Sequence, residues 1–125
     1  MKNNIEETKT LILSKNNNHL PEVGMGGSIG GNGDLYPYTI HKVSKDLKVI
    51  WASSDRYQAI PKEGGYQYGD DIPYKYSNEN QNDESQWTKY KLRKNGYYVQ
   101  EGCSLNAQWQ TLHIGYRCYK QNPSF

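Results

Sequence analysis

The sequence predicts a mainly β fold: a small, strongly bent antiparallel sheet or partly open barrel of five to six strands, with one or two short helices. Three observations predict it. Short runs rich in Tyr, Trp and β-branched residues alternate apolar and polar positions. Glycine- and asparagine-rich breaks separate those runs, with 12 glycines among 125 residues. Asn95-Gly96 stands between two such runs and is the strongest short-range hairpin signal in the chain. Both residues tolerate the positive φ of a type I′ turn.

Residues 1–22 read as an N-terminal appendage to a single β-rich domain, 23–125. Within it, EETKTLILSK suits a short helix or an edge strand, and Asn16-Asn17-Asn18 ends it. Val23–Asp34 holds six glycines but no established phosphate motif. Ile29 stands where a dinucleotide fingerprint needs glycine, no lysine completes a Walker loop, and the single GGNGD makes no calcium-binding repeat. A twisted, glycine-rich strand with a loop remains. Tyr36–Val43 starts the next strand, and Pro37 argues for an edge or a strand beginning. Asp46-Leu47 turns the chain into Lys48–Ser53, which completes a first hairpin. Asp55–Pro73 reads as a long irregular excursion, Tyr74–Tyr76 as a short strand and Ser77–Gln86 as a solvated loop.

Trp87–Val99 is the clearest hairpin. With Asn95 and Gly96 as its two turn residues, Arg93 pairs with Tyr98, Leu92 with Val99 and Lys91 with Gln100. Tyr90, Leu92 and Val99 then share one face, and Lys91, Arg93, Tyr98 and Gln100 the other. Gly102–Gln110 forms a loop containing Trp109. Leu112, Ile114 and Tyr116 alternate along a final strand.

Only 34% of residues are hydrophobic, mean hydropathy is −1.02, and one Phe stands against 12 Tyr and three Trp. The core must therefore use rings with polar tips. So small a core favours a homo-oligomer that buries more surface. The net charge of +2 gives no polybasic signature for duplex nucleic acid or an anionic membrane. No apolar run approaches the ~20 residues of a spanning helix. The N-terminus lacks a secretory pattern, which sets the expectation of a soluble, cytoplasmic protein. In a reducing cytoplasm Cys103 and Cys118 are expected as free thiols.

Catalytic chemistry finds little support. His19, His41 and His113 fall in separate elements without metal-ligand spacing. Cys103 and His113 lack a third orienting group. The acidic runs at Asp70-Asp71 and at Glu79, Asp83 and Glu84 read as solvated loops. The expectation is a binding protein without catalytic residues, metal or cofactor. Its candidate contacts are Lys91, Arg93 and Arg117 for phosphate and Tyr36, Tyr90, Tyr98 and Tyr116 for a base.

The succession VGMGG at 23–27, D-x-Y-P-Y-T-I-x-x-V at 34–43, LRKNGYYV at 92–99 and IGYRCYKQNPSF at 114–125 resembles small phage and prophage proteins. It resembles the Thoeris anti-defence sponge family of the first type, over roughly residues 23–125. That resemblance implies a mainly antiparallel fold and a phage-encoded protein. Such a protein binds cyclic ADP-ribose isomers, and in some relatives cyclic oligonucleotides, at a subunit interface without cleaving them. It implies Tyr90 as a base-stacking ring, Arg117 as a phosphate ligand and Gln100 near a polar contact, although the expected pairing sets Gln100 opposite Tyr90. The family's Ser-Asp-Arg-Tyr segment is placed at Gly33-Asp34-Leu35-Tyr36, with Leu35 in place of arginine. The site residues expected are thus Tyr90, Arg117, Tyr36, Arg93 and Gln100. A β-domain that binds protein or carbohydrate through tyrosines, and a single-strand nucleic-acid binder, are the other readings.

Overall fold

In a computed structural model, residues 5–31, 34–67 and 71–119 are described. Gly33, Gly69-Asp70 and the terminal 120–125, all used in the sequence reading, lie outside them. Helix α1 spans Ile5–Lys15, followed by β1 (Gly26–Gly31), β2 (Asp34–Val43), β3 (Val49–Ser54), β4 (Arg56–Ala59) and β5 (Tyr74–Ser77). Then come β6 (Thr88–Leu92), β7 (Tyr98–Gln100) and β8 (Thr111–Ile114), with single 3₁₀ turns at Glu84–Gln86 and Gln108–Gln110. Six strands close an antiparallel barrel in the order β1-β2-β3-β6-β7-β8, while β4 and β5 pair as a separate two-stranded sheet. The mainly β expectation holds, and the barrel is closed rather than partly open. No described helix is long and apolar enough to cross a membrane.

Closure follows from the alternation of each strand. Ile40, Ile50, Ala52, Tyr90, Tyr98, Leu112 and Ile114 point inward, each at most 2% exposed. They form one core with Ile29 and Ile12. Tyr98 illustrates the use of rings with polar tips: its ring is in the core and its hydroxyl donates to the Leu47 carbonyl at 2.6 Å. Both cysteines are free.

The segment expected to be an appendage is packed into this core. Glu6 and Glu7 in its first turn and Lys15 in its last suit the helix dipole. Asn17 and Asn18, at φ 51° and 62°, end the helix in the left-handed region. Ile12 is fully buried in the barrel core and Leu20 packs against it. Asn16 Nδ2 then ties the helix end to the Gly96 carbonyl at 2.9 Å.

The β6–β7 hairpin forms as expected but one residue out of register. Tyr90 pairs with Gln100, Lys91 with Val99 and Leu92 with Tyr98. The loop holds three residues, because Arg93 N–H donates to the Tyr97 carbonyl and Gly96 N–H to that of Arg93. Of Asn95 and Gly96, only Gly96 takes a positive φ, 87°. This is a type I turn closed by a left-handed bulge residue, not a type I′ turn. A slip of one residue moves every side chain to the opposite face. Tyr98 therefore lies inward with Leu92 and Tyr90, while Val99 lies on the Lys91 side.

Two other expectations change. Pro37 lies within β2, buried and paired with Ser28. It is tolerated because the β2–β3 ladder begins one residue later, at Tyr38–Ser54, where the Pro37 carbonyl accepts the Asp55 N–H. The excursion after Asp55 contains β4, whose Arg56–Ala59 pairs with Ser77–Tyr74.

Candidate functional site

The ladder between β2 and β3 shifts between Ile40 and Lys42, leaving His41 as the extra residue of a β-bulge. Bulges bend a strand and re-aim a side chain. Here the ring lines a cavity of about 290 Å³ shared with Thr39, Asp55, Asn78, Gln81 and Arg117. The cavity lies beside the junction of the barrel and the two-stranded sheet, since Asp55 links β3 to β4 and Asn78 follows β5.

Arg117 and Asp55 form its floor. Arg117 Nε lies 2.8 Å from Asp55 Oδ2, an ion-pair contact without hydrogen-bond alignment. Arg117 Nη2 donates to Thr39 Oγ1 at 2.9 Å, and Thr39 Oγ1 donates to Asp55 Oδ1 at 2.6 Å. The Asp55 side chain is only 1% exposed, the Arg117 side chain 31%. Among the described residues the polar contacts given for this guanidinium run through Nε and Nη2. Gly26 makes room for this side chain, because a Cβ there would lie 2.6 Å from the Arg117 Cβ. The glycine-rich strand thus admits an arginine of the same chain.

His41 and Tyr76 add rings to the lining. His41 stacks on Trp87 with centroids 5.0 Å apart and planes 10° from parallel, and its Nε2 lies 2.7 Å from Ser53 Oγ. Burial lowers the His41 pKa, against a smaller upward pull from Asp55. Burial also lowers that of His113, whose ring meets Tyr97 edge-on. Both histidines are protonated more readily in the unfolded chain than in the fold. Their contribution to stability is therefore complete above the ordinary value of 6.5 and is lost as pH falls below it. Thermal melts should be level from about pH 8 to 7 and decline from about pH 6.5 to 5.5. The decline should be smaller in the double variant His41→Gln/His113→Gln.

Of the five expected site residues, only Arg117 lines the cavity. Tyr90 is 2% exposed in the barrel core, and burial pushes its hydroxyl pKa up, so its ring offers no face to a ligand here. Gln100 sits directly across from Tyr90 on the same face, correcting the expected opposition. Tyr36 packs against Trp109 and Tyr119, with centroids 6.3 and 5.8 Å away. Arg93 donates from Nη1 to the Cys103 carbonyl at 3.0 Å. Tyr98 is in the core, and Tyr116 is 55% exposed.

Thr39, His41, Asp55 and Asn78 escaped the sequence reading. One signal was present: Ser54-Asp55-Arg56-Tyr57 is an intact copy of the segment placed above at 33–36. Arg56 of that copy lies 3.3 Å from Glu79 in a solvent-exposed pair. No protein-family description, curated protein or solved structure matches this chain.

Proposed function

We propose that this protein is a phage-encoded sponge that captures a cyclic nucleotide-derived immune signal of the cyclic ADP-ribose class and holds it uncleaved. The observation that carries this reading is the guanidinium of Arg117, braced through Nε and Nη2 in the lining of a cavity. An arginine fork matches the paired oxygens of a phosphate. The sequence resemblance supplies the ligand class and gives Arg117 the same role.

At about 290 Å³ the cavity is at the lower end for a whole small-molecule ligand. It takes the phosphate portion, and a second copy of the chain covers the remainder. The protein acts in the cytoplasm of the infected or lysogenic host.

Calorimetry against cyclic ADP-ribose isomers and cyclic di- and trinucleotides tests this reading, with heat denaturation afterwards to recover the ligand. Binding followed by recovery of intact ligand is expected. No binding to any of these compounds, or release of a hydrolysed product, would refute it. Exposed Tyr57, Trp109 and Tyr116 favour a second reading, a carbohydrate- or protein-binding module. A positive glycan screen with no nucleotide binding would select that one.

A further inference from the structure

We infer that Asn78 is the positioning residue of this site, locking the Arg117 arm and the His41 arm of the cavity into one geometry. The inference rests on the reading of Arg117 as an oxyanion contact. Asn78 Nδ2 lies 2.9 Å from Asp55 Oδ1 and 2.9 Å from Ser53 Oγ. These are the two shortest of its four contacts, the others being the Ser53 and Ser54 carbonyls at 3.2 and 3.4 Å. A primary amide has two N–H donors, and these two acceptors take both.

Each acceptor leads to one wall. Asp55 carries Arg117 and Thr39. Ser53 Oγ accepts from Asn78 and lies 2.7 Å from His41 Nε2, while its own proton can also reach Asn78 Oδ1 at 3.3 Å. By holding this hydroxyl, Asn78 biases which ring nitrogen of His41 carries the proton. Asn78 is in turn anchored, because its Oδ1 accepts the Asn80 N–H at 2.9 Å. It follows directly on β5, so the small sheet reaches Asp55 and Ser53 through this amide. Asp55 also determines what Arg117 offers a ligand. With Nε and Nη2 engaged, the guanidinium is held in place for a single phosphate. A second phosphate needs another cation.

Nitrogen-15 NMR of the full chain tests this without ligand, reading the Arg117 Nε–H signal and the His41 ring nitrogens. Asn78→Ala should move both sets of signals, the arginine toward rapid exchange and the histidine toward a mixture of tautomers. Thr39→Val, which cuts only the Arg117 arm, should move the arginine signal alone. If Asn78→Ala does not fold, Asn78→Leu keeps the approximate shape without the two donors or an added charge and gives the same reading. Unchanged signals at either residue would overturn the inference.

Cyclic ADP-ribose is the probe for the second arm. Asn78→Ala should weaken it about tenfold, on the scale of one charge-assisted hydrogen bond. The double variant with Arg117→Ala should be no weaker than Arg117→Ala alone, since the two act through one contact. Additive losses would overturn the positioning role. If the wild-type protein binds no cyclic ADP-ribose, the sponge reading for that ligand fails, and the NMR shifts alone decide the role of Asn78.

Discussion

Replacing Arg117 by alanine is expected to cost at least ~1.5 kcal/mol of affinity for the captured nucleotide, the scale of a charge-assisted hydrogen bond. The same variant should be less stable before any ligand is added. It leaves the Asp55 carboxylate, 1% exposed, without its cation. Breaking a fully buried pair costs about 3–5 kcal/mol. Here Arg117 is 31% exposed and Asp55 keeps the donors of Thr39 and Asn78, so a loss of about 1–3 kcal/mol is expected. Adding Asp55→Asn removes the orphaned charge and should recover most of the stability while restoring none of the binding. Urea midpoints and calorimetry on the two variants separate these effects. Unchanged affinity in Arg117→Ala would place the ligand elsewhere, and unchanged stability would mean the pair contributes nothing to the fold.

Ile12→Ala should be the most destabilising single truncation outside the barrel strands. The side chain is fully buried, in contact with the core formed by Ile40, Ile50 and Tyr98. Removing a buried isoleucine costs ~2–5 kcal/mol through lost transfer energy and the cavity left behind. Against a typical total of ~5–15 kcal/mol this is a large fraction. Urea denaturation of the variant measures it directly. A loss below ~1 kcal/mol would mean that α1 is the detachable segment its sequence suggests.

The strands were legible because their signal is local. Alternation and turn residues mark β2, β3, β6 and β8 within about eight residues each, and the glycine-rich β1 is bounded by its own composition. What failed depends on contacts distant in sequence. Asn95-Gly96 is compatible with a two- or a three-residue loop, and the choice follows which face Tyr98 must present to Leu112 and the core. That one-residue choice reversed the face of Gln100. Helix α1 has weak amphipathicity of its own, and only a barrel end needing Ile12 fixes its place. In the site, Arg117 was legible as a cation on a strand end. Its partner Asp55 is 62 residues away in sequence and Asn78 is 39, so neither periodicity nor spacing links the three. The position of His41 rests on a bulge that its own strand does not announce.

The closed barrel has a further consequence for how copies of this chain can join. Each of its six strands has a strand neighbour on both sides, so the barrel leaves only short stretches such as Ile29–Gly31 paired on one side. Among the described residues, β4 and β5 are paired on one side along their whole length. The longest stretch suited to backbone pairing between copies is thus the small sheet, next to Asp55 and Asn78. Arg56 and Lys75 on those strands set charges along this edge, the kind of residue that discourages indiscriminate strand addition.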